Sequence, residues 1–231
     1  PARRVAGQDL LPDRHLQCPL EYRIVPLCGG SVAALSENPV DELLDMGRAK
    51  LCHGDAQRFK MGQNPANGIE LVRDGKVVPE LNDVFRLIKD YDVVLGTAHV
   101  SPEEAFVIIE SARNAGVKKI VVTHPEWWVV DMSIDDQIRL VKDYDVILER
   151  CYAQNMGGGK YKSNLPDNLD LIHAVGYEHV MVDTDGGQTE NPHWELALEE
   201  YMQYLVDHGI PEEQVYHMTK TIPYRLLGIE E

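Results

Sequence analysis

Short apolar runs, rich in β-branched residues, alternate along this chain with segments that have the pattern of helices. Each run is too short for a helix and is apolar at consecutive positions, which is typical of strands buried on both faces of a parallel sheet. Regular alternation of such strands with helices predicts βαβ units. The six runs span Tyr22–Leu27, Ala49–Cys52, Val93–Leu95, Ile120–Thr123, Val146–Leu148 and Val180–Val182.

The helices between these runs have clear start and stop signals. Ser101 is followed by a proline and, three positions on, by Glu104, which predicts a capping box with proline at the first helical position. Gly116 follows the last apolar turn of that segment and predicts its end. The dipeptide Asn191-Pro192 predicts the start of a long amphipathic helix near the carboxyl terminus.

Strands separated by helices leave two architectures open, a doubly wound open sheet and a (β/α)8 TIM-type barrel. No GxGxxG or GxxxxGK[ST] motif follows the first strand, so a nucleotide-binding sheet has no support. Polar residues instead follow many of the strands, as in barrels, where the loops after the strands build the site. We therefore expect one barrel domain over residues 1–231, with a hairpin inserted at 54–79 around Asp74-Gly75.

The composition of the chain excludes several classes of binding partner. The 231 residues are 44% apolar, enough for a sizeable core, and carry a formal net charge of −16. So acidic a surface repels nucleic acid and anionic lipid, and no run approaches the roughly 18 apolar residues of a membrane span. There is no signal-peptide pattern, and the four cysteines are widely spaced, so we expect reduced thiols in a cytoplasmic protein.

Residues able to do chemistry follow the predicted strands. Because parallel strands bring their carboxyl ends to one rim, these side chains should converge despite their separation in sequence. Converging imidazoles and carboxylates predict a divalent-metal site, with zinc as the first choice and manganese or iron as alternatives. The residues are His99, His124, Glu149, Asp183 and Asp185, with His53 after an earlier strand.

Each of these residues also has a plainer interpretation. A lone histidine at a strand end is often a hydrogen-bonded loop residue, but His99 and His124 on consecutive strands, with an aspartate on a later one, favour a metal. Trp127 and Trp128 either line a substrate pocket or fill the loop. Cys151 has no evident activating partner in the sequence, which argues against a nucleophilic role.

Three segments are similar to a known family, the amidohydrolase superfamily of metal-dependent barrels. The similarity is closest to an uncharacterised branch with motifs of the form TGHxSPEE, VTHPE and SDxGQxxNP. The closing segment TIPYRLLGI also resembles the end of that branch, NPARLLGL. The matching segments here are GTAHVSPEEA, VTHPEWW and DTDGGQTENP.

The resemblance implies roles for particular residues. Strands five and six of the family each end in a metal-binding histidine, and the motifs place His99 and His124 there. The aspartate after strand eight ligates metal and serves as general base, and this position matches Asp185, with Asp183 as the neighbouring competitor. The pocket would be shaped by Trp127 and Trp128.

The beginning of the sequence departs from the family pattern. Counting back from Val180–Val182 as the eighth strand makes Tyr22–Leu27 the third, and the 21 residues before it are too few for two units of about 25 residues each. The His-x-His pair of the first strand is also absent, and the nearest equivalent is Asp13-x-His15-x-Gln17. We expect that residues are missing from this sequence; a partner chain that completes the barrel, or a non-catalytic relative, are the alternatives.

The resemblance implies a metal-dependent hydrolase that uses metal-activated water on an amide, lactone or ester of a small molecule. Because related barrels also decarboxylate and hydrate, a metal-dependent lyase is the nearest alternative. A non-catalytic barrel that serves as a scaffold or binding subunit is the alternative from another class. Homo-oligomerisation is expected, since open sheet edges need to be covered.

Overall fold

The computed structural model describes residues 24–26, 70–157, 160–187 and 191–229. Two predicted site residues, His15 and His53, and the predicted strand Ala49–Cys52 lie outside these residues. The strands are β1 (Ile24–Pro26), β2 (Val72–Arg73), β3 (Lys76–Val77), β4 (Val94–Gly96), β5 (Ile120–Val122), β6 (Ile147–Cys151), β7 (Ala153–Gly157), β8 (Lys160–Ser163) and β9 (Val180–Asp183).

Helices fill most of the remaining chain. The α-helices are α1 (Pro79–Asp90), α2 (Pro102–Ala115), α3 (Ile134–Tyr144), α4 (Leu165–Val175), α5 (Trp194–Asp207), α6 (Glu212–Tyr216) and α7 (Ile222–Leu227). A 3₁₀ turn over Tyr177–His179 precedes β9, and a π-helical segment over His217–Thr221 joins the last two helices. No helix in the described ranges combines the length and apolar character needed to cross a lipid bilayer.

Five strands form one parallel sheet in the order β1-β4-β5-β6-β9. The predictions of an α/β fold and of parallel strands joined by helices are confirmed. The described strands form an open sheet rather than a closed barrel. Of the predicted eight-stranded barrel, only the α/β fold class is therefore confirmed. Closure of the barrel stays a prediction.

Alternate residues of the strands face two different cores. The larger core lies between the sheet and the helices α1 to α5, and contains Leu95, Val122 and Leu148. The opposite face carries a smaller cluster, in which Val121 and Ile147 pack with residues of α7. The side on which a strand residue lies therefore follows from its parity along the strand.

Two antiparallel hairpins depart from the parallel pattern. The predicted hairpin around Asp74-Gly75 is confirmed as β2–β3, and both turn residues have positive φ, 52° and 72°. The second hairpin, β7–β8, includes described residues of the glycine-rich stretch over 157–164 and was not predicted from the sequence. Its strand Lys160–Ser163 is mostly exposed, so hydrophobic periodicity gave no sign of it.

The helix that follows β4 starts as the sequence predicts. The Ser101 hydroxyl accepts a hydrogen bond from the Glu104 backbone N–H at 3.2 Å, and the Glu104 carboxylate accepts one from the Ser101 N–H at 3.0 Å. This capping box fixes the start of α2 immediately after the loop that carries His99.

Candidate metal and catalytic site

The two histidines predicted from consecutive strands meet. The Nε2 atoms of His99, after β4, and His124, after β5, lie 2.9 Å apart, and the rings stack with centroids separated by 4.6 Å. At this distance one ring nitrogen donates a hydrogen bond to the other. His124 is buried and His99 is half-buried, so the pair lies at the edge of the core rather than in open solvent.

Two hydrogen bonds to threonine hydroxyl groups hold these strand ends in register. The Thr123 hydroxyl accepts a hydrogen bond from the Ala98 N–H, and the Thr97 hydroxyl accepts one from the Thr123 N–H, both at 3.1 Å. Ala98 and His124 also have left-handed backbone, with φ of 54° and 22°. Such conformations cost about 1–3 kcal/mol in non-glycine residues and persist where the surroundings fix them.

The Trp127 side chain packs against the ring of His124. The indole is 1% exposed and stacks on the His124 ring at 4.1 Å between centroids and 18° between planes. Trp128 is half-buried, and its backbone N–H donates to the Gln154 side-chain oxygen at 2.8 Å. The predicted contribution of the two tryptophans to a substrate pocket stays a prediction, but Trp127 packs chiefly in the core.

A second group of potential ligands lies where β6 and β9 end. Glu149 and Cys151 are two residues apart on β6, and Asp183 is the parallel-sheet partner of Cys151. One potential ligand atom from each of the three side chains lies within 4.8 Å of the other two. Glu149 and Asp183 were predicted from their positions after the strands, whereas no ligand role was predicted for Cys151.

Burial and mutual repulsion shape the acid–base properties of this group. Burial, together with the charge of Asp183, raises the pKa of Glu149 well above its usual range. Burial also raises the pKa of Asp183, and it raises the pKa of the Cys151 thiol well above its ordinary value. Each shift disfavours a negative charge, so the group is poorly suited to carry its full charge without a cation nearby.

The two aspartates at the end of β9 do not lie on one continuous strand, as an ideal strand would have placed them. The strand ends at Asp183, and Asp185 follows in a turn with φ of 44°. Asp183 is therefore the deeper residue and joins Glu149 and Cys151, while Asp185 is exposed at the rim. Although the residue is exposed, partial desolvation of its carboxyl group, and then the charge of Asp183, raises the pKa of Asp185 to about 6.

The other face of β6 carries a buried ion pair that the sequence analysis missed. Arg150 is 2% exposed, and its Nη1 atom lies 3.3 Å from Oε2 of Glu126. The guanidinium also donates to the side chains of Asn168 at 2.8 Å and Gln137 at 2.9 Å. An arginine inside the apolar run VILERCY was the available signal, because a buried arginine requires partners.

Glu126 connects this ion pair to the strand ends. Its Oε1 atom accepts a hydrogen bond from the Cys151 N–H at 3.1 Å, and Asn168 donates to the Cys151 carbonyl at 2.9 Å. Burial raises the pKa of Glu126 to about 7, although the charge of Arg150 acts in the opposite direction. Since Glu126 follows His124 by two residues, the network fixes the end of β5 against the end of β6.

Comparison with known proteins gives a family match over part of the chain. Residues 44–149 match the model of a family of unknown function, DUF6282. No curated protein matches the sequence significantly.

Solved structures similar to this chain include amidohydrolases. An amidohydrolase from Burkholderia multivorans with bound HEPES aligns with a TM-score of 0.50 at 8% identity, over 66% of this chain and 59% of that chain. A second crystal form of it, with bound zinc, aligns with a TM-score of 0.46 at 8% identity, over 66% and 58% of the two chains. The phosphotriesterase homology protein from Escherichia coli, complexed with phosphate, gives 0.49 at 15% identity, over 71% and 60%.

The present chain thus spans less than two thirds of the length of these structures. At such low identity the similarity concerns the fold and not the reaction. The similarity of fold nevertheless agrees with the family suggested by the motifs around His99, His124 and Asp185. The resemblance to the amidohydrolase superfamily is therefore confirmed at the level of the fold, which this chain shares over about two thirds of its length.

Proposed function

We propose that this protein is a metal-dependent hydrolase acting on an amide, lactone or ester of a small molecule. The observation that carries the proposal is the approach of two imidazoles from neighbouring parallel strands, with their Nε2 atoms 2.9 Å apart. Half-buried carboxylates lie at the same edge of the sheet, on the next two strands. Imidazole and carboxylate at one strand edge form the donor set of many hydrolytic metal centres.

The donor geometry fits a divalent ion. A zinc–nitrogen bond is about 2.0–2.1 Å, so two nitrogens 2.9 Å apart can both reach one ion. His99 and His124 would hold the metal, with zinc as the first choice and manganese or iron as alternatives. Such an ion would supply Lewis-acid activation of water and of the substrate carbonyl.

Asp185 is proposed as the general base. It lies at the solvent-facing rim, just after β9, and its pKa of about 6 keeps it largely ionised near neutral pH while leaving it basic enough to accept a proton. In the proposed reaction the Asp185 carboxylate takes a proton from the attacking water and passes it to the leaving group. Trp127 maintains the orientation of His124 through their stacked rings.

The test begins with metal-free protein reloaded with zinc, manganese or ferrous iron. A panel of small amides, lactones and esters is then assayed for hydrolysis. The double variant His99→Ala/His124→Ala should lose both the activity and at least one equivalent of tightly bound metal. The matched control is His173→Ala/His208→Ala, which removes two exposed histidines and should retain both properties.

General-base catalysis contributes about 10²–10⁴-fold, so Asp185→Asn should lower turnover by at least 100-fold. The fold should remain intact, as judged by circular dichroism, because the side chain is exposed. Metal content unchanged in the His99→Ala/His124→Ala variant would contradict the metal site. Hydrolysis unchanged in Asp185→Asn, or activity found only as release of carbon dioxide, would contradict the assigned reaction.

A further inference from the structure

A thiol lies among the carboxylates at the end of β6, in a position that no catalytic role in the proposed reaction requires. Glu149 and Cys151 have the same parity along the strand, so both face away from the helix layer, as does the neighbouring Ile147. Asp183 is aligned with Cys151 on β9 and completes the group. The three donor atoms come from two adjacent rigid strands, which hold them more firmly than a loop would.

The charge around this group is one-sided. The charged groups that raise the pKa values of Glu149 and Cys151 are carboxylates, among them Asp183 and Asp185. Arg150, the residue between Glu149 and Cys151, points to the other face and pairs with Glu126. Several carboxylates packed together are costly to bury, and a bound cation would lower that cost.

An unsatisfied oxygen provides an independent indication. The Oδ1 atom of Asp183 is fully buried and has no hydrogen-bond partner. Buried carboxylate oxygens are almost always hydrogen-bonded or bound to a cation. The same side chain supplies a donor atom to the group with Glu149 and Cys151.

We propose that Glu149, Cys151 and Asp183 form a second metal site, which binds a thiophilic divalent cation such as zinc. Bonds from zinc to sulfur and oxygen are about 2.3 Å and 2.0–2.2 Å, so two donors on one ion lie at most about 4.5 Å apart. The three donor atoms already lie within 4.8 Å of one another, so at most small side-chain rotations bring them into that range. Binding replaces the thiol proton of Cys151 with the cation and releases the proton to the solvent.

This site differs in chemistry from the imidazole pair. A thiolate selects zinc, iron or cadmium over magnesium and calcium, which prefer oxygen donors. The site does not depend on hydrolysis, since its three donors are separate from His99 and His124. Failure of the proposed reaction would therefore leave it standing.

The experiment uses cobalt(II) as the probe, because a cobalt–thiolate bond gives an intense charge-transfer absorption in the near ultraviolet. Metal-free, full-length protein is titrated with cobalt(II), and the band should appear with saturation. It should be absent in Cys151→Ser. It should persist in a variant that keeps Cys151 as its only cysteine, with Cys18, Cys28 and Cys52 changed to serine, and in His99→Ala/His124→Ala.

The carboxylates are tested in the same titration. Glu149→Gln should weaken cobalt binding at the thiolate site at least about tenfold, because a charged ligand is lost. Asp167→Asn is the matched control, since this exposed carboxylate pairs with Lys162 on the surface and should leave the affinity unchanged. If Cys151→Ser does not fold, the Glu149→Gln comparison still decides the outcome.

Absence of the band in the wild-type protein would overturn the proposal, as would its persistence in a folded Cys151→Ser variant. Cobalt affinity that is equal in Glu149→Gln and in the wild type would remove Glu149 from the site. A band lost in His99→Ala/His124→Ala but retained in Cys151→Ser would assign the signal to another cysteine and refute the site. The hydrolysis assay is read separately, so the two proposals succeed or fail independently.

Discussion

The two faces of strand β6 bury charge in opposite ways. On the helix face, Arg150 forms an ion pair with Glu126, and its guanidinium also donates to Gln137, Asn168 and a backbone carbonyl. On the other face, Glu149 lies beside Cys151 and Asp183, and the charges that raise its pKa are those of carboxylates. Only one residue separates the two arrangements along the strand.

The difference separates structural charge from functional charge. A buried charge that has its counter-charge within the protein mainly positions the strands. A group of acidic side chains whose strongest neighbours are other carboxylates would gain from a bound cation, as proposed above. The next predictions test whether the two faces respond in opposite ways when charge is removed.

The largest effect is expected on the paired face. Arg150→Met removes the cation and leaves the buried Glu126 without its partner, which should lower the free energy of unfolding by about 3–5 kcal/mol. Glu126→Gln combined with Arg150→Met should recover part of that loss, because no uncompensated charge remains. Urea denaturation measures both, and a loss below about 1 kcal/mol in Arg150→Met would show that the ion pair does not stabilise the fold.

The pH dependence of the metal-free protein should show an intermediate effect. The pKa of Glu126 is raised from 4.5 to about 7, so the folded state holds this proton more tightly than the unfolded state does. Stability from this group is present below about pH 4.5 and is lost as the pH rises through 7, by at most about 3 kcal/mol. The raised pKa of Asp185 acts in the same direction.

Thermal unfolding of the metal-free protein between pH 5 and pH 8 measures this loss. The Glu126→Gln variant, which cannot titrate at this position, should have a flatter profile. Zinc should raise the melting temperature more at pH 8 than at pH 5, because its ligands bind when deprotonated. A metal-free protein that becomes more stable as the pH rises would contradict the assignment.

The smallest effect is expected on the unpaired face. Burial and the charge of Asp183 raise the pKa of Glu149 and so favour its neutral carboxyl group, and the neutral amide of glutamine can donate a hydrogen bond in its place. Glu149→Gln should therefore change the metal-free stability by less than about 1 kcal/mol while weakening metal binding. Destabilisation as large as that of Arg150→Met would mean that the two faces do not differ in the way described.

Local features of this fold were predictable from the sequence because their causes are local. The capping box at Ser101 depends on residues three positions apart, and it forms as predicted. The approach of His99 and His124 followed from one general property, the shared carboxyl edge of parallel strands. The turn after β9, in contrast, determines that Asp183 joins the acidic group while Asp185 lies at the rim. Strand periodicity alone does not specify where a strand ends, so the sequence could not predict this.

The missed residues depend on tertiary contacts. Arg150 lies on β6 and Glu126 in the loop after β5, and they meet because these two strands are neighbours in the sheet. Cys151 gained its acidic neighbours from β9, about thirty residues later, through the register of the sheet. In both cases the parity of residues along one strand is visible in the sequence, but the partners on each side are not.

The crossed hydrogen bonds of Thr97 and Thr123 affect how the imidazole pair meets a ligand. Because they fix the backbone on either side of the pair, the rings keep their spacing through contacts made entirely within the protein. The entropy of ordering the two side chains is then lost when the chain folds and not when an ion binds, which favours tight association with little rearrangement. Exchange of the ion would accordingly be governed by breaking of the coordinate bonds themselves, while the polypeptide around them stays still.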